Sequence, residues 1–347
     1  MFLKKAAIIG GTGYGAIELI RLLQSHKEIE ITKIISQSQA GEELSATYPH
    51  LNGIITKEME ALNTEELEKE IDILFLATPA GVAKNIIPSF QDTSVQCIDL
   101  SGDFRLTSEE YKEWYGKEPA SADVLEKAVF GLSDIFTEEI KSASIISNPG
   151  CFPTAALSAL IPLIDGGKIQ TEGIRIDAKT GISGAGKGLS EKAHFSSANE
   201  NVVPYKIGQH QHIPEIERYA SQFADNDVKV SFTTHLIPMT RGLLCTIYAD
   251  LKSQETTASI LDYLQEYYQE KSFVRILPEG HFPATKGVTG SNYCDIGAYV
   301  DERTNSIVIA SAIDNLVKGA AGQAIHNANL MNGWDETMGL EFIPVFP

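Results

Sequence analysis

Residues 6–10 form a short apolar run that ends in glycine. From Tyr14 to about Gln24, Ile17, Leu19, Ile20 and Leu23 recur at the spacing of one helix face. Residues 29–35 predict a second strand. The run IDILFLA at 71–77 is apolar nearly throughout, the pattern of a strand covered on both faces. Residues 95–100 and 144–147 predict further strands, with helices near 82–90 and 108–114 between them. Such alternation predicts an α/β architecture with a doubly wound parallel sheet over residues 1–150. Beyond residue 150 the rhythm changes. Residues 174–178, 229–236, 243–251, 293–300 and 306–312 predict strands with fewer helices among them, notably 256–268 and an apolar stretch at 155–163. Residues 151–313 therefore read as a second, α+β domain of mostly antiparallel strands. A helix rich in small residues over 314–332 is expected to pack back on the first domain.

A chain of 347 residues is longer than one core of about 100–200 residues, which agrees with two domains. With 43% hydrophobic and 21% charged residues the balance is globular. Lys plus Arg number 28 against 46 Asp plus Glu, a net charge of −18. That surface repels phosphate backbones and argues against a nucleic-acid partner. An anionic substrate would need cations gathered locally. No apolar run reaches the roughly 18–20 residues of a membrane span, so no membrane partner is expected. The start, MFLKKAAIIGGTG, reads as a strand entering a glycine loop and not as a signal peptide. The four cysteines, at 97, 151, 245 and 294, make no Cys-x-x-Cys pair. A reduced, cytoplasmic protein without a metal site is expected.

Four stretches carry chemistry. The first strand runs into Gly10, Gly11, Thr12, Gly13, Tyr14, Gly15 and Ala16. Glycine permits a tight turn and close approach of backbone to a pyrophosphate, and the following helix offers unpaired N–H groups. The strand–loop–helix–strand setting makes this a Rossmann-type dinucleotide site. Ser36, Gln37 and Ser38 close the second strand, where an acidic residue would select NAD. Two hydroxyls there favour NADP. Cys151 lies after a strand and before an apolar helix, flanked by Gly150, Pro149 and Pro153. A helix N-terminus favours the thiolate, so Cys151 is the candidate nucleophile. Cys97, Cys245 and Cys294 lie within apolar strands and read as small core residues. His210 and His212 open a helix. They are either cap or surface histidines, or one of them is the acid/base partner of Cys151. The glycine-rich stretch 179–188 is not a P-loop, because Gly188 follows Lys187. Ser183, Lys187 and its N–H groups suit an acyl phosphate.

Seven segments in order resemble the N-acetyl-γ-glutamyl-phosphate reductase family of arginine biosynthesis, itself related to aspartate-semialdehyde dehydrogenase. They are GGTGY from Gly10 with Glu18 and Leu19, DLSGDFRL from Asp99, SNPGCFPT from Ser147, TGISGAG from Thr180, HQHIPEI from His210, HLIPMTRG from His235 and DNLVKGAAGQA from Asp314. Gln211 and Lys187 stand where that family usually has Arg, and Gln37 and Glu42 lie where it often has cations. The resemblance implies NADPH-dependent reduction of N-acetyl-L-glutamyl 5-phosphate to the 5-semialdehyde through a thioester on Cys151, with His210 or His212 as acid/base. It implies substrate contacts from Arg105, Ser183, Lys187 and Arg241, and a nicotinamide contact from Asn315. Ala77, Thr78 and Pro79 complete the expected cofactor set with the glycine loop, Ser36 and Ser38. A small-molecule substrate and a homodimer or homotetramer, joined through the second domain, are expected. The alternative is an aspartate-semialdehyde dehydrogenase-type reductase of another acyl phosphate.

Overall fold

A computed structural model describes residues 3–346. The chain divides into two compact units, one running up to Pro149 and including Ala320–Glu341, the other Gly150–Gly319 with the residues from Phe342 on.

The first unit is built on six strands: β1 (Lys4–Ile9), β2 (Ile29–Ile35), β3 (Ile73–Leu76), β4 (Gln96–Asp99), β5 (Ala128–Phe130) and β6 (Ile145–Ser147). Every neighbouring pair is parallel, in the order β2-β1-β3-β4-β6-β5. All four side chains of β3 are buried, as a strand covered on both faces requires. Leu74 and Leu76 pack with Ala83, Ile86 and Phe90 on one side of the sheet. The segment expected as one helix at 82–90 is an α-helical turn, Ala83–Ile86, followed by a 3₁₀ turn, Ile87–Phe90. Pro88 lies in that second turn, and its missing N–H breaks the α-helical ladder. The chain leaves β1 towards β2 on one side and returns to β3 on the other, so the strand order reverses between β1 and β3. Ligands of doubly wound sheets bind at that reversal.

The second unit carries β7 (Ile174–Thr180), β8 (Val203–Tyr205), β9 (Val230–Leu236), β10 (Leu243–Asp250), β11 (Val274–Ile276), β12 (Cys294–Asp301) and β13 (Ser306–Ile313). Their order is β11-β12-β13-β10-β7-β9-β8. Four of its pairings are antiparallel; β11–β12 and β7–β9 are parallel. The helix Cys151–Asp165 is buried from Phe152 to Ile164 and packs on β10 and β13. Strand β7 alternates. Ile174, Ile176, Ala178 and Thr180 are buried, while Arg175, Asp177 and Lys179 belong to the opposite, open face.

The continuous helix expected over 314–332 starts late. Asp314 Oδ1 accepts the amide protons of Leu316 and Val317, a local turn that competes with helix. A π-helical turn, Val317–Ala321, precedes the α-helix Gly322–Met331. No helix among the described residues is long and apolar enough to cross a membrane.

Candidate active site

The glycine loop is made by backbone. The Gly10 and Gly11 amides both donate to Ile35 O, and the Gly13 amide donates to Gly10 O at 2.9 Å. Gly10 has φ +90°, and a Cβ there would run into the carbonyl of Ala77. Only glycine lets the loop reach the end of β3. Tyr48 holds the loop from outside, its hydroxyl donating to Thr12 O at 2.9 Å. The helix Tyr14–Leu23 starts after Gly13 with no side-chain cap and no acidic residue in its first turn. Its N-terminal amides therefore keep their affinity for an anion. Beside it, Thr78 Oγ1 is buried without a hydrogen-bond partner. A buried hydroxyl left unpaired costs free energy, and a ligand polar group would satisfy it. These residues fit a dinucleotide. Ser36 is buried with its amide on Glu60 O, whereas Gln37 and Ser38 are exposed.

The DLSGDFRL segment braces this region. Asp103 is fully buried and accepts from Gly81 N at 2.6 Å, Tyr111 OH at 2.7 Å and Lys84 N at 3.1 Å. It thus fixes the loop that follows Thr78 and Pro79. Asp99 accepts from the amide and hydroxyl of Ser101. Burial first, and the neighbouring Asp103 charge second, push its carboxyl up to about 7. Arg105 does not present a free guanidinium fork to a ligand: its Nε donates to Asn148 O and one Nη to Leu100 O, each at 2.9 Å. These bonds make it a clamp between the β4 loop and the segment after β6.

Cys151 is the first residue of its helix, with Gly150 as N-cap. It is half-buried, whereas Cys97, Cys245 and Cys294 are buried. Burial pushes the Cys97 thiol up to about 12 and raises Cys245 as well. Two close approaches shape the site. A Cβ on Gly150 would strike the His212 ring, and one on Gly319 would lie 2.7 Å from Cys151 Cβ. Glu215 is fully buried, and its Oε1 accepts the Gly150 amide at 2.8 Å. His210 and His212 are 4.6 Å apart between ring centroids and both pack edge-on against Phe152; Tyr205 and Phe232 complete the wall around His210. His210 Nδ1 accepts the His212 amide at 3.1 Å. Burial, helped by Lys206, lowers the His210 pKa to about 3.

A third cluster gathers Ser183, Arg241 and Asn315. Asn315 Nδ2 donates to Ser183 Oγ at 3.0 Å and its Oδ1 accepts the Gly242 amide at 2.8 Å. Arg241 Nη1 lies 3.5 Å from Asp314 Oδ2 and remains part-exposed. The backbone of 181–183 is laced to 239–242. Lys187 is exposed. Sequence reading missed Asp103, Glu215, Asp314 and Gly319. Each lay inside a motif already singled out, but nothing in the spacing told a bracing carboxylate from a solvated one or marked Gly319 as a close approach.

Residues 5–143 match the semialdehyde dehydrogenase NAD binding domain, and residues 151–315 match the semialdehyde dehydrogenase dimerisation domain. The N-acetyl-gamma-glutamyl-phosphate reductase of Oceanobacillus iheyensis is 64% identical over 99% of this chain and 100% of that protein. The chain belongs to the N-acetyl-gamma-glutamyl-phosphate reductase family. The Staphylococcus aureus member is 50% identical over 99% of both chains. Among solved structures, aspartate semialdehyde dehydrogenase II of Vibrio cholerae, complexed with ASA, superposes with a TM-score of 0.71 at 16% identity, over 96% of this chain and 99% of that one. The Candida albicans aspartate semialdehyde dehydrogenase with NADP gives 0.69 at 18%, over 95% and 98%. These two share the fold. As a member of its family, the chain is an oxidoreductase with an NAD(P)-binding domain.

Proposed function

We propose that this chain reduces N-acetyl-L-glutamyl 5-phosphate to N-acetyl-L-glutamate 5-semialdehyde, releasing phosphate, with NADPH as reductant and a thioester on Cys151. The observation that carries the reading is a half-buried cysteine at a helix N-terminus, with a histidine ring packed against the residue before it.

The helix end favours the thiolate by about 0.3–1 kcal/mol, and the amides of the first turn are aimed at negative charge. Cys151 attacks the acyl carbon, phosphate leaves, and the thioester divides one difficult step into two easier ones. A nicotinamide cofactor held at the glycine loop would supply the hydride. Gly10, Thr12, Gly13, Tyr14, Gly15, Ser36, Ser38, Ala77, Thr78 and Pro79 are the residues assigned to hold that cofactor. Between the two histidines, His212 is the acid/base. His210 already uses Nδ1 to accept a backbone amide and stays neutral at working pH. Its role is to orient His212. Arg241 and Ser183 take the substrate's acyl phosphate, Asn315 orients Ser183, and Arg105 positions the Asn148 loop.

Ser36 and Ser38 offer hydroxyls to a 2′-phosphate, and residues 36–38 themselves carry no carboxylate. No cation lies between residues 36 and 42 either. A hydrogen bond to a charged group contributes about 1.5–3 kcal/mol, which predicts a preference for NADPH of roughly ten- to a hundred-fold. The test is the reverse reaction, semialdehyde plus phosphate with NADP⁺ or NAD⁺. Equal use of both would reject the serine site, and Gln37→Arg should widen the gap through the NADPH Michaelis constant. The setting proposed is the cytoplasm, consistent with four free cysteines. A second copy of the chain is proposed to cover the open face of the seven-stranded sheet, where Tyr248 and Tyr299 are 41% and 49% exposed. Light scattering should then report a dimer or tetramer, and a monomer would reject it.

A further inference from the structure

The second unit contains a cavity of about 290 Å³, near the small end of ligand sites, bordered by Ile182, Lys192, Ser197, Asn201, Val203 and Leu236. Its place in the fold connects it to the chemistry at two points. Val203 and Leu236 face each other across the β8–β9 pair, and Tyr205, two residues along β8, is the residue whose ring lies 5.7 Å from His210. The Tyr205 hydroxyl is held above its ordinary range by burial and then by the Cys151 charge. Two residues of strand span about 7 Å, so the cavity begins that far along β8 from the wall of the thiol site. On its other side, Ile182 adjoins Ser183, which Asn315 holds.

We propose that this cavity receives the end of the substrate remote from the reacting carbonyl, its acetamido group and α-carboxylate; the assignment rests on the substrate reading given above. Three carbon–carbon bonds, about 4 Å end to end, separate the acyl carbon of a glutamyl chain from its α-carbon. The acetamido group extends further in the same direction. Ile182, Val203 and Leu236 supply apolar surface for the acetyl methyl. Asn201 Nδ2 donates to Ser197 O at 2.9 Å, which leaves its Oδ1 as the acceptor for the amide N–H. The Ser197 hydroxyl is the donor for the amide carbonyl.

The carboxylate falls to Lys192. In a chain of net charge −18, Lys192 lies near enough to a second lysine, Lys206, to lower its pKa alongside the larger effect of burial. Lys206 Nζ donates to Gln211 Oε1 at 2.7 Å, and its backbone sits in the left-handed region at φ 46°. L residues seldom adopt that conformation without a compensating interaction. Lys192 on the cavity's border, and Lys206 directly after Tyr205 of β8, are the positive groups on this side of an acidic chain. Glu191 also borders the cavity, so a free ammonium is the competing occupant.

Steady-state kinetics of Lys192→Ala, Asn201→Ala and Val203→Trp in the reverse direction test the assignment. The expected result is a rise of about tenfold in the Michaelis constant for N-acetyl-L-glutamate semialdehyde in each. The constants for phosphate and NADP⁺, and the iodoacetamide rate at Cys151, should stay within twofold. N-acetyl-L-glutamate should inhibit the wild type far better than L-glutamate and lose that advantage in Val203→Trp. Unmoved semialdehyde constants in all three variants, or better inhibition by L-glutamate, would overturn the subsite alone. No turnover of the semialdehyde by wild type would overturn the substrate reading and the subsite with it.

Discussion

His210 accepts a backbone amide at Nδ1 inside a wall of Phe152, Tyr205 and Phe232. Its proton, when neutral, is therefore on Nε2. Its pKa of about 3 lies below the unfolded value of 6.5. The stability this neutral ring contributes is complete above pH 6.5 and is lost as pH falls towards 3. With about 1.4 kcal/mol per unit, the loss across that window is on the order of a few kcal/mol. Denaturant titrations of His210→Asn between pH 7 and 4 should show a flatter dependence of stability on pH than wild type. In kinetics the two histidines separate. His212→Asn should lower kcat by about 10²–10⁴-fold and flatten the pH profile of kcat/KM, whereas His210→Asn should keep the shape of that profile. The reverse pattern would move the acid/base role to His210. Sequence left this choice open because both residues sit two apart at one helix start, and only burial and hydrogen bonding distinguish them.

The elements around Cys151 act through close approach. The helix Cys151–Asp165 fixes the thiol, the π-helical turn Val317–Ala321 brings Gly319 against its Cβ, and Glu215 anchors the Gly150 amide from the helix His212–Ser221. Gly319→Ala should destabilise by about 1–3 kcal/mol through overpacking and lower kcat while leaving cofactor affinity near wild type. Full activity in Gly319→Ala would contradict the packing account. The long parallel strands and the apolar helix were legible from periodicity alone. Strands β5, β8 and β11 were not: each has only three residues and shows no period, and β6, equally short, was read from its apolar pair Ile145 and Ile146. Nor was the late start of the last helix, which depends on Asp314 taking two amides. The place of Cys151 at a helix N-terminus was legible because a Gly and two Pro surround it. The two backbone carbonyls that Arg105 holds were not legible, because a basic residue in a motif looks the same whether it grips a ligand or the chain.

Across the whole molecule, a strongly acidic chain belonging to a family of acyl-phosphate reductases must place its positive groups one by one. Arg241 lies beside Asp314, Lys192 borders the cavity of the second unit, and the helix after the glycine loop has no acidic residue in its first turn. Raised salt should therefore weaken substrate binding less than it would in an enzyme that steers anions with a positive surface. The central claim is covalent catalysis by Cys151, and a single-turnover experiment tests it most directly. Wild type is mixed with freshly generated N-acetyl-L-glutamyl 5-phosphate in the absence of NADPH, and released phosphate and protein mass are followed together. The account predicts a burst of about one phosphate per chain, an acyl adduct on the peptide carrying Cys151, its discharge as aldehyde when NADPH is added, and none of this in Cys151→Ala. Normal turnover with NADPH, but no burst and no adduct without it, would contradict the account.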